Sequence, residues 1–350
     1  MTDRAAAWTA VIRGTRPGPA AALARAGLWW ARLPYAAGVR VRNGLFDAGW
    51  KRPASAGVPV VSVGNLTVGG TGKTPCVEYV AGFYRDLGLQ AAILSRGYGS
   101  TDGRPNDEAM VLEENLPDVP HLQGRDRVAL AATAVEELES EILVLDDGFQ
   151  HRRLTRDLDI VLIDATRPLE HEYLFPRGTL REPVSGLKRA GLAILTRCDQ
   201  ADPGEVERQR DWLRARFPEL PVATTIHAPL ELVGTDEAEA IETLRGRTVG
   251  GFCGIGNPAA FRRTLEDLGA NAAAFRTFAD HHPYTRADVD DLRKWAETLP
   301  KEATICTTQK DFVKLRIPEL AGRPVRAVRI GMRFLDGEEA VREALSRVTG

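Results

Sequence analysis

Paired cysteines, zinc-ligand spacing and long hydrophobic runs are all missing from this chain of 350 residues. Its four cysteines stand alone, with no C-x-x-C pair, and its six histidines show no metal-ligand spacing. We therefore expect buried thiols in a reducing compartment, which favours the cytoplasm. The net charge of −2 excludes a strongly basic protein, so we expect no nucleic-acid partner.

No segment offers the roughly 20 mostly apolar residues that a membrane-spanning helix requires, because arginines interrupt the best window, residues 20–41. A signal peptide is not predicted either, since no apolar run before residue 20 ends in a small-residue cleavage site. Residues 1–52 nevertheless hold nine basic and two acidic side chains, a local charge of +7, and four of the six tryptophans. Basic residues interleaved with Trp suit the interface of an anionic membrane, and a solvated helix docked on the main body is the alternative. We predict an amphipathic helical segment that lies on the inner face of a membrane.

From about residue 57, short apolar runs alternate with helical patterns. The runs are rich in Val, Ile and Leu and nearly continuous, which is typical of parallel strands covered on both faces. This predicts an α/β fold in which a P-loop-like, doubly wound parallel sheet occupies residues 53–225. An extended stretch at 221–229 and an acidic one at 231–242 indicate a linker, followed by a smaller α/β domain within 226–350. The predicted strands are 58–63, 89–94, 142–145, 159–163, 192–195, 248–253, 272–278, 304–307 and 325–330.

The segment VPVVSVGNLTVGGTGKTPCVEY, residues 58–79, combines a strand, a glycine-rich loop and the start of a helix. In this arrangement backbone N–H groups surround an anion, and glycines let the backbone approach phosphates closely. Lys73 would reach the β- and γ-phosphates and the Thr74 hydroxyl would bind Mg²⁺. The strict pattern has Gly where Thr67 stands, so the motif is a variant, and a glycine-rich surface turn is the alternative. The predicted phosphate site comprises Gly69, Gly70, Thr71, Gly72, Lys73 and Thr74.

The strand predicted at 142–145 runs directly into Asp146 and Asp147. Because ligands bind at the carboxyl ends of parallel strands, one of these aspartates is expected to hold Mg²⁺, and spacing does not decide which. Gln150 lies close to the same edge. Arg96 follows another strand and could bind phosphate oxygens with its planar guanidinium.

Residues 196–199, TRCD, are similar to the [NT]-K-x-D element with which many GTPases read guanine, with Arg in place of Lys. An ordinary boundary between a strand and a turn is the better interpretation of this short segment.

Several segments together resemble the tetraacyldisaccharide 4′-kinase family of lipid A biosynthesis. They occur in order over about 250 residues, and a chance match to all of them is implausible. The chain departs from the family's G-D-E-P at Asn106 and Ala109. The matching segments are GNLTVGGTGKTP (64–75), LSRGYG (94–99), NDEA (106–109), DDGFQHRRL (146–154), PRGTLREP (176–183), FCGIGNP (252–258), FADHHPY (278–284) and TTQKDFVKL (307–315).

The resemblance implies a transferase that uses ATP and Mg²⁺. The γ-phosphoryl group of ATP would pass to the 4′-hydroxyl of a tetraacyldisaccharide 1-phosphate, giving the bis-phosphorylated lipid A precursor, lipid IVA. It also implies a lipid substrate on an anionic inner-membrane surface, peripheral attachment on the cytoplasmic side, and no obligate protein partner.

Residue roles follow from the same resemblance. Lys73 and Thr74 match the family's phosphate and Mg²⁺ residues, and Asp146 and Asp147 match its acidic strand end. Asp107 matches the acid that assists deprotonation of the sugar hydroxyl, and His281 matches its histidine partner, for which His282 is a rival. A neutral alcohol needs such a base. The further substrate or phosphate candidates are Arg96, Arg125, Arg127, Gln150, Arg177 and Arg181.

Two other classes of protein compete with the kinase. One is a P-loop GTPase or ATPase that drives metal insertion or protein targeting, but Val68 stands where many such ATPases carry a second lysine, and no metal-relay cluster is present. The other is a membrane-surface adaptor with a relic nucleotide fold. The intact Lys73, Thr74, Asp146 and Asp147 argue against a relic.

Overall fold

The computed structural model describes residues 3–97, 106–235 and 237–350. Tyr98 and Gly99 of the LSRGYG segment lie outside these ranges. The α-helices are α1 Asp3–Ile12, α2 Pro19–Asp47, α3 Lys73–Asp86, α4 Asp107–Asn115, α5 Arg127–Glu136, α6 Pro203–Arg216, α7 Pro258–Asp267, α8 Arg286–Glu297, α9 Gln309–Leu315 and α10 Glu338–Thr349. The β-strands are β1 Val60–Asn65, β2 Ala91–Ser95, β3 His121–Gln123, β4 Ile142–Asp146, β5 Leu158–Asp164, β6 Leu192–Thr196, β7 Val222–Val233, β8 Ala238–Ala240, β9 Thr248–Cys253, β10 Asn271–Thr277, β11 Thr304–Thr308, β12 Glu319–Leu320 and β13 Arg323–Asp336.

The chain forms two compact units that do not follow the sequence in two simple halves. The larger unit comprises residues 3–97, Leu116–His227 and Met332–Gly350. The smaller unit comprises residues 106–115 and Ala228–Gly331. The ranges predicted from the sequence are 53–225 and 226–350, and they stay a prediction. They assign α4 to the larger domain and α10 to the smaller one, whereas α4 lies in the smaller unit and α10 in the larger.

In the larger unit, a parallel sheet has the order β7-β6-β5-β1-β4-β2-β3. Every residue of β1, β2, β5 and β6 is buried, as expected for Val-, Ile- and Leu-rich strands covered on both faces. Strand β1 lies between β4 and β5, and its Val63 is in register with Asp146 of β4. The acidic end of β4 is therefore next to the strand that leads into the glycine-rich loop. The predicted P-loop-like α/β fold is confirmed.

Helix α3 packs against β1, β2 and β4, and its Cys76, Val77 and Val80 are buried. The C-terminal helix α10 belongs to the same unit, where the Tyr84 hydroxyl donates a hydrogen bond to the Leu345 carbonyl at 2.9 Å. The loop that opens α3 is thus attached to a well-packed helix.

In the smaller unit, parallel strands have the order β10-β9-β11-β13. A buried cluster around Phe252, Leu292 and Trp295 lies on one side of these strands, and α8 begins with a capping box between Thr285 and Asp288. The second α/β set predicted from the sequence is confirmed, with strand β13 extending well beyond the predicted 325–330.

The linker predicted near residues 221–242 stays a prediction, and the division between the two units, after His227, falls within it. Residues Val222–Val233 form the long strand β7 and Ala238–Ala240 form β8, which pairs with β7 in antiparallel fashion. The acidic side chains of this stretch have basic partners in the same unit: Glu239 binds Arg326 at 2.6 Å and Arg247 at 2.9 Å. The charge pattern therefore reflects ion pairs on a folded sheet rather than a solvated connection.

The predicted helical segment at the N-terminus is formed by α1 and α2. Across the described ranges, no helix is both long and apolar enough to cross a membrane. The four cysteines are all buried and unpaired, at positions 76, 198, 253 and 306.

Candidate active site

The glycine-rich loop connects β1, which ends at Asn65, to α3, which begins at Lys73. Gly72 caps α3 in the left-handed conformation, with φ of 82°, and no side chain caps this helix end. The first N–H groups of α3 are therefore available to an anion, as in other phosphate-binding helix termini. A Cβ at Gly72 would lie 2.1 Å from the His227 Nε2, so a larger residue would have to displace this imidazole as well as adopt a left-handed backbone.

Two side chains brace the loop from the sheet. The Asn65 amide donates to the Thr71 hydroxyl at 2.9 Å, and the Thr196 hydroxyl donates to the Thr71 carbonyl at 2.9 Å. Thr196 and Arg197 belong to the TRCD segment, and Arg197 binds Asp164 at 2.8 Å. The contact with Thr71 gives Thr196 a role in the architecture of the loop, and Arg197 forms an ion pair at the end of the neighbouring strand.

Asp147 is the central carboxylate of this unit. Its backbone is left-handed, with φ of 52°, a strained conformation that Asp tolerates better than most residues and that is frequent at functional sites. Both of its carboxylate oxygens accept from Arg181 Nη1 at 2.8 Å, and the Lys73 Nζ lies 3.6 Å from Oδ1. The buried Arg127 donates to the Asp147 carbonyl at 3.2 Å.

The electrostatics of Asp147 follow from this setting. Burial alone would raise the pKa of its carboxyl, but the charges of Lys73 and Arg181 outweigh burial and lower the pKa below its ordinary value. Asp147 is thus an ionised carboxylate that holds Lys73 and Arg181 beside the loop.

Asp146 is the residue at which β4 ends, and Thr74 lies in the first turn of α3. The two supply a carboxylate and a hydroxyl oxygen, the ligand types that Mg²⁺ prefers. Residues 3–97, 106–235 and 237–350 contain no cluster of three or more His, Cys, Asp or Glu side chains that could hold a metal. A Mg²⁺ ion that is bound mainly by phosphates and water needs only one or two protein oxygens, so these residues fit it.

Glu182 was not recognised from the sequence, although it lies in the PRGTLREP segment. It is completely buried and accepts hydrogen bonds from Gln150 at 3.0 Å, Arg189 at 2.9 Å and Asn43 of α2 at 3.1 Å. Gln150 also donates to the Asn65 carbonyl at 2.9 Å. A buried carboxylate therefore connects α2, the end of β1 and the segment that carries Arg181.

Three other predicted arginines are Arg96, Arg125 and Arg177. In the part of the chain that the structure describes, none of them forms a hydrogen bond or an ion pair with Asp147. Arg96 and Arg125 are exposed. Arg177 donates to the Ile12 carbonyl at 2.9 Å and stacks on Tyr173, so its visible role is to hold α1. Their binding of substrate stays a prediction.

In the smaller unit, Asp107 and His281 form a direct pair. Asp107 is the first residue of α4, and its Oδ2 accepts from the His281 Nδ1 at 2.9 Å. His281 has a positive φ of 58°, and its backbone N–H donates to the Gly254 carbonyl at 3.0 Å. The rival His282 instead lies 3.2 Å from Asp288. The structure thus brings together the Asp–His pair that the sequence predicts.

Lys314 of α9 completes this pair and was missed from the sequence, although it lies in the TTQKDFVKL segment. Its Nζ is 2.8 Å from the same Asp107 Oδ2. Burial alone would raise the pKa of Asp107, but hydrogen bonds from His281 and Lys314 lower it. The hydrogen bond to Asp107 raises the pKa of His281, against a smaller opposing effect of burial.

Comparison with known proteins gives a consistent result. The family model described as tetraacyldisaccharide-1-P 4′-kinase matches residues 24–349. The tetraacyldisaccharide 4′-kinase of Anaeromyxobacter dehalogenans strain 2CP-C is 43% identical over 351 residues, with 95% of this chain and 92% of that protein covered. The one from Syntrophus aciditrophicus strain SB is 37% identical, with 86% and 87% covered. The crystal structure of LpxK from Aquifex aeolicus in complex with ATP superimposes with a TM-score of 0.74 at 29% identity, covering 93% of this chain and 99% of that one.

Proposed function

This chain belongs to the tetraacyldisaccharide 4′-kinase family, and we propose that its phosphate loop holds ATP while its Asp107–His281 pair accepts the proton of the sugar hydroxyl. The chain is an enzyme, a kinase that transfers the γ-phosphoryl group of ATP to the 4′-hydroxyl of a tetraacyldisaccharide 1-phosphate. The bond between the γ-phosphorus and the bridging oxygen of ATP breaks. A bond from the γ-phosphorus to the 4′-oxygen forms, and ADP leaves.

The phosphates of ATP are assigned to the loop from Gly69 to Thr74. The uncapped N-terminus of α3 offers backbone N–H groups, and Lys73 adds a positive charge for the β- and γ-phosphates. Asp147 keeps Lys73 and Arg181 in place, so that Arg181 can bind either the transferring group or the 1-phosphate of the lipid. Phosphoryl transfer depends mainly on such positioning and charge neutralisation.

Mg²⁺ is assigned to the Thr74 hydroxyl and the Asp146 carboxylate. When bound, the ion neutralises negative charge on the phosphate oxygens. The support for this assignment is the register that places Asp146 beside Val63 of β1, two residues before that strand ends at Asn65.

The acceptor is a neutral alcohol and must lose its proton as the new bond forms. Because the ionised Asp107 accepts from His281 Nδ1, the Nε2 of a neutral His281 keeps its lone pair and can take the proton. Asp107 then stabilises the imidazolium. The His281 side chain is 64% exposed, so the acceptor hydroxyl can reach its imidazole.

We also propose peripheral attachment to the cytoplasmic face of the inner membrane through the N-terminal segment. The support is a set of exposed apolar side chains beside arginines: Trp30 is 66% exposed, Trp50 82% and Leu23 74%. A shallow apolar groove also lies between α1 and α2, lined by Trp8, Val11 and Leu28 among others. Trp30→Ser should weaken co-sedimentation with phosphatidylglycerol vesicles, whereas Leu87→Ser, at an exposed site outside the segment, should not. Equal binding of all three proteins would exclude this attachment.

The observation that carries the kinase assignment is the position of Lys73 at an uncapped helix end beside the ionised Asp147. The test is transfer of labelled γ-phosphate from ATP to tetraacyldisaccharide 1-phosphate in detergent with Mg²⁺. Label should appear in the lipid with the intact protein and not with Lys73→Ala. Nucleotide hydrolysis without labelled lipid would contradict the proposal.

A further inference from the structure

Helix α9 contacts Asp107 and the loop that carries His281. Lys314 reaches Asp107 Oδ2 at 2.8 Å, and the Lys314 side chain is only 11% exposed. Lys314 also donates to the His282 carbonyl at 3.3 Å, next to His281 in the chain. One ammonium group therefore binds the carboxylate and the loop that carries the imidazole.

One turn earlier on the same helix, Asp311 also holds that loop. Asp311 is completely buried and accepts from the Gly254 N–H at 3.1 Å, the Tyr284 hydroxyl at 3.0 Å and the Thr308 hydroxyl at 2.6 Å. Gly254 in turn accepts from the His281 N–H. A fully satisfied buried network of this kind is rigid, so α9 is a fixed frame for His281.

Helix α4, which carries Asp107, is attached to α9 along its length. Lys310 binds Glu108 at 3.1 Å and Gln309 binds Asn115 at 2.5 Å, in addition to the contact between Lys314 and Asp107. Helix α9 therefore contacts both segments that supply the pair: α4, which carries Asp107, and the loop that carries His281.

We propose that Lys314 is the positioning residue of the Asp107–His281 pair: it fixes Asp107 Oδ2 against His281 Nδ1 and sets the pH range in which the pair can accept a proton. This inference rests on the proposed function of the pair. Both hydrogen bonds end on Oδ2, and neither uses Oδ1, so the carboxylate is held in one orientation.

The charges around Asp107 give Lys314 its effect on pH dependence. His281 and Lys314 contact Asp107 directly. Around these partners, Asp280 lies 4.0 Å from His281, Asp311 lies 4.0 Å from Lys314, and Glu108 of α4 pairs with Lys310 of α9. Three of these neighbours are carboxylates, and Lys314 is the ammonium in direct contact. Removing its charge leaves the Asp107 carboxylate to act on His281 alone, which makes the imidazole more basic.

The experiment compares Lys314→Gln, Lys314→Met and Lys314→Arg in the γ-phosphate transfer assay across pH. The first two should lower kcat by about 10- to 100-fold and leave the Kd of ATP unchanged, because misplacement of a reacting group has costs of this size. They should also move the acid limb of the kcat profile to higher pH, since imidazolium forms more readily. Lys314→Arg retains the charge and should keep the acid limb close to that of the unchanged protein. Lys294→Gln, an exposed lysine on α8 in the same unit, is the matched control.

A direct readout does not depend on turnover. NMR titration of the His281 ring, assigned by comparison with His281→Gln, should show a higher pKa in Lys314→Gln than in the unchanged protein. An unchanged acid limb together with an unchanged His281 titration would overturn the inference. If Asp107→Ala keeps full kcat, the proposed function of the pair fails instead, and the two failures are therefore distinguishable. A Lys314→Gln protein that does not fold leaves Lys314→Arg to decide: a shifted acid limb in that charge-retaining variant would contradict the proposal.

Discussion

In the phosphate loop the groups offered to an anion come from one continuous stretch between Asn65 and Thr74, and most of them are backbone N–H groups. Asp107 and His281 are 174 positions apart, and their chemistry comes entirely from side chains. The loop depends on backbone conformation, so glycine decides whether it can form. The pair depends on neighbours such as Lys314 that orient its members. The two groups should therefore fail in different ways when they are altered.

The largest effect is expected at Lys73, which lies in the backbone loop and also supplies a charged side chain. Lys73→Ala should reduce kcat by about 1,000-fold, because it removes the positive charge on the transferring phosphates and frees Asp147 from one of its two cations. Labelled-phosphate transfer at saturating substrate measures the loss. Lys188→Ala, an exposed lysine in the same unit, should stay at the rate of the unchanged protein. Substantial activity in Lys73→Ala would remove the phosphate loop from the mechanism.

Replacing Asp107 tests the Asp107–His281 pair independently of the phosphate loop. Asp107→Ala should lower kcat by about 100- to 1,000-fold, because His281 loses the carboxylate that orients it and stabilises its imidazolium, and it should leave the Kd of ATP unchanged. The transfer assay measures kcat, and isothermal titration calorimetry with ATP measures the Kd. Glu113→Ala removes an exposed carboxylate from the same helix and serves as the control. A parallel loss of ATP affinity would make Asp107 a nucleotide ligand.

Replacing Gly72 tests whether ATP binding depends on the backbone conformation of the phosphate loop. Gly72→Ala places a Cβ 2.1 Å from the His227 Nε2 and forces alanine into a left-handed backbone, so ATP affinity should fall by about tenfold or more. Gly70→Ala, whose Cβ would meet no atom closer than 3.8 Å, should have the smaller effect. Combining Gly72→Ala with His227→Ala relieves the contact but not the backbone strain and should recover affinity only in part. Equal affinities for Gly70→Ala and Gly72→Ala would contradict this.

The smallest effect concerns stability and pH. The raised pKa of His281 adds stability that is present below its unfolded pKa and is lost as pH rises through the folded value. The lowered pKa of Asp107 adds stability that is present above its unfolded pKa and is lost as pH falls through the folded value. Both contributions are therefore present near pH 5.5 and that of His281 is gone at pH 8.5.

Urea unfolding of Asp107→Asn and the unchanged protein at these two pH values measures the difference. The gap in the free energy of unfolding should be larger at about pH 5.5, by less than about 1 kcal/mol because His281 is largely exposed. A gap that widens toward pH 8.5 would have the wrong sign.

The sequence predicted the features that depend on neighbours in the chain. The strand, glycine loop and helix of residues 58–79 form as predicted, and β4 ends at Asp146 as its apolar run predicts. Asp107 and His281 were found only through resemblance to a family, since no local pattern relates residues so far apart. Glu182 and Lys314 were missed, because their roles arise from tertiary contacts with Gln150 and Asp107.

The acidic stretch of the predicted linker illustrates the same physical point. Acidic residues around Glu239 looked like a solvated connection, but Arg326 and Arg247 neutralise them from positions distant in the sequence. Composition alone does not distinguish a charged loop from a strand whose partners lie elsewhere in the fold.

The burial of all four cysteines has a practical consequence for measurement. Burial raises the pKa of Cys76, Cys253 and Cys306 to about 12 and also raises that of Cys198, so almost no thiolate is present at neutral pH. A single cysteine introduced at the exposed Trp50 position should therefore react with a maleimide dye ahead of every native thiol. Site-specific fluorescent labelling therefore does not require replacement of the native cysteines in the core. The N-terminal segment can be followed on vesicles with this single added cysteine.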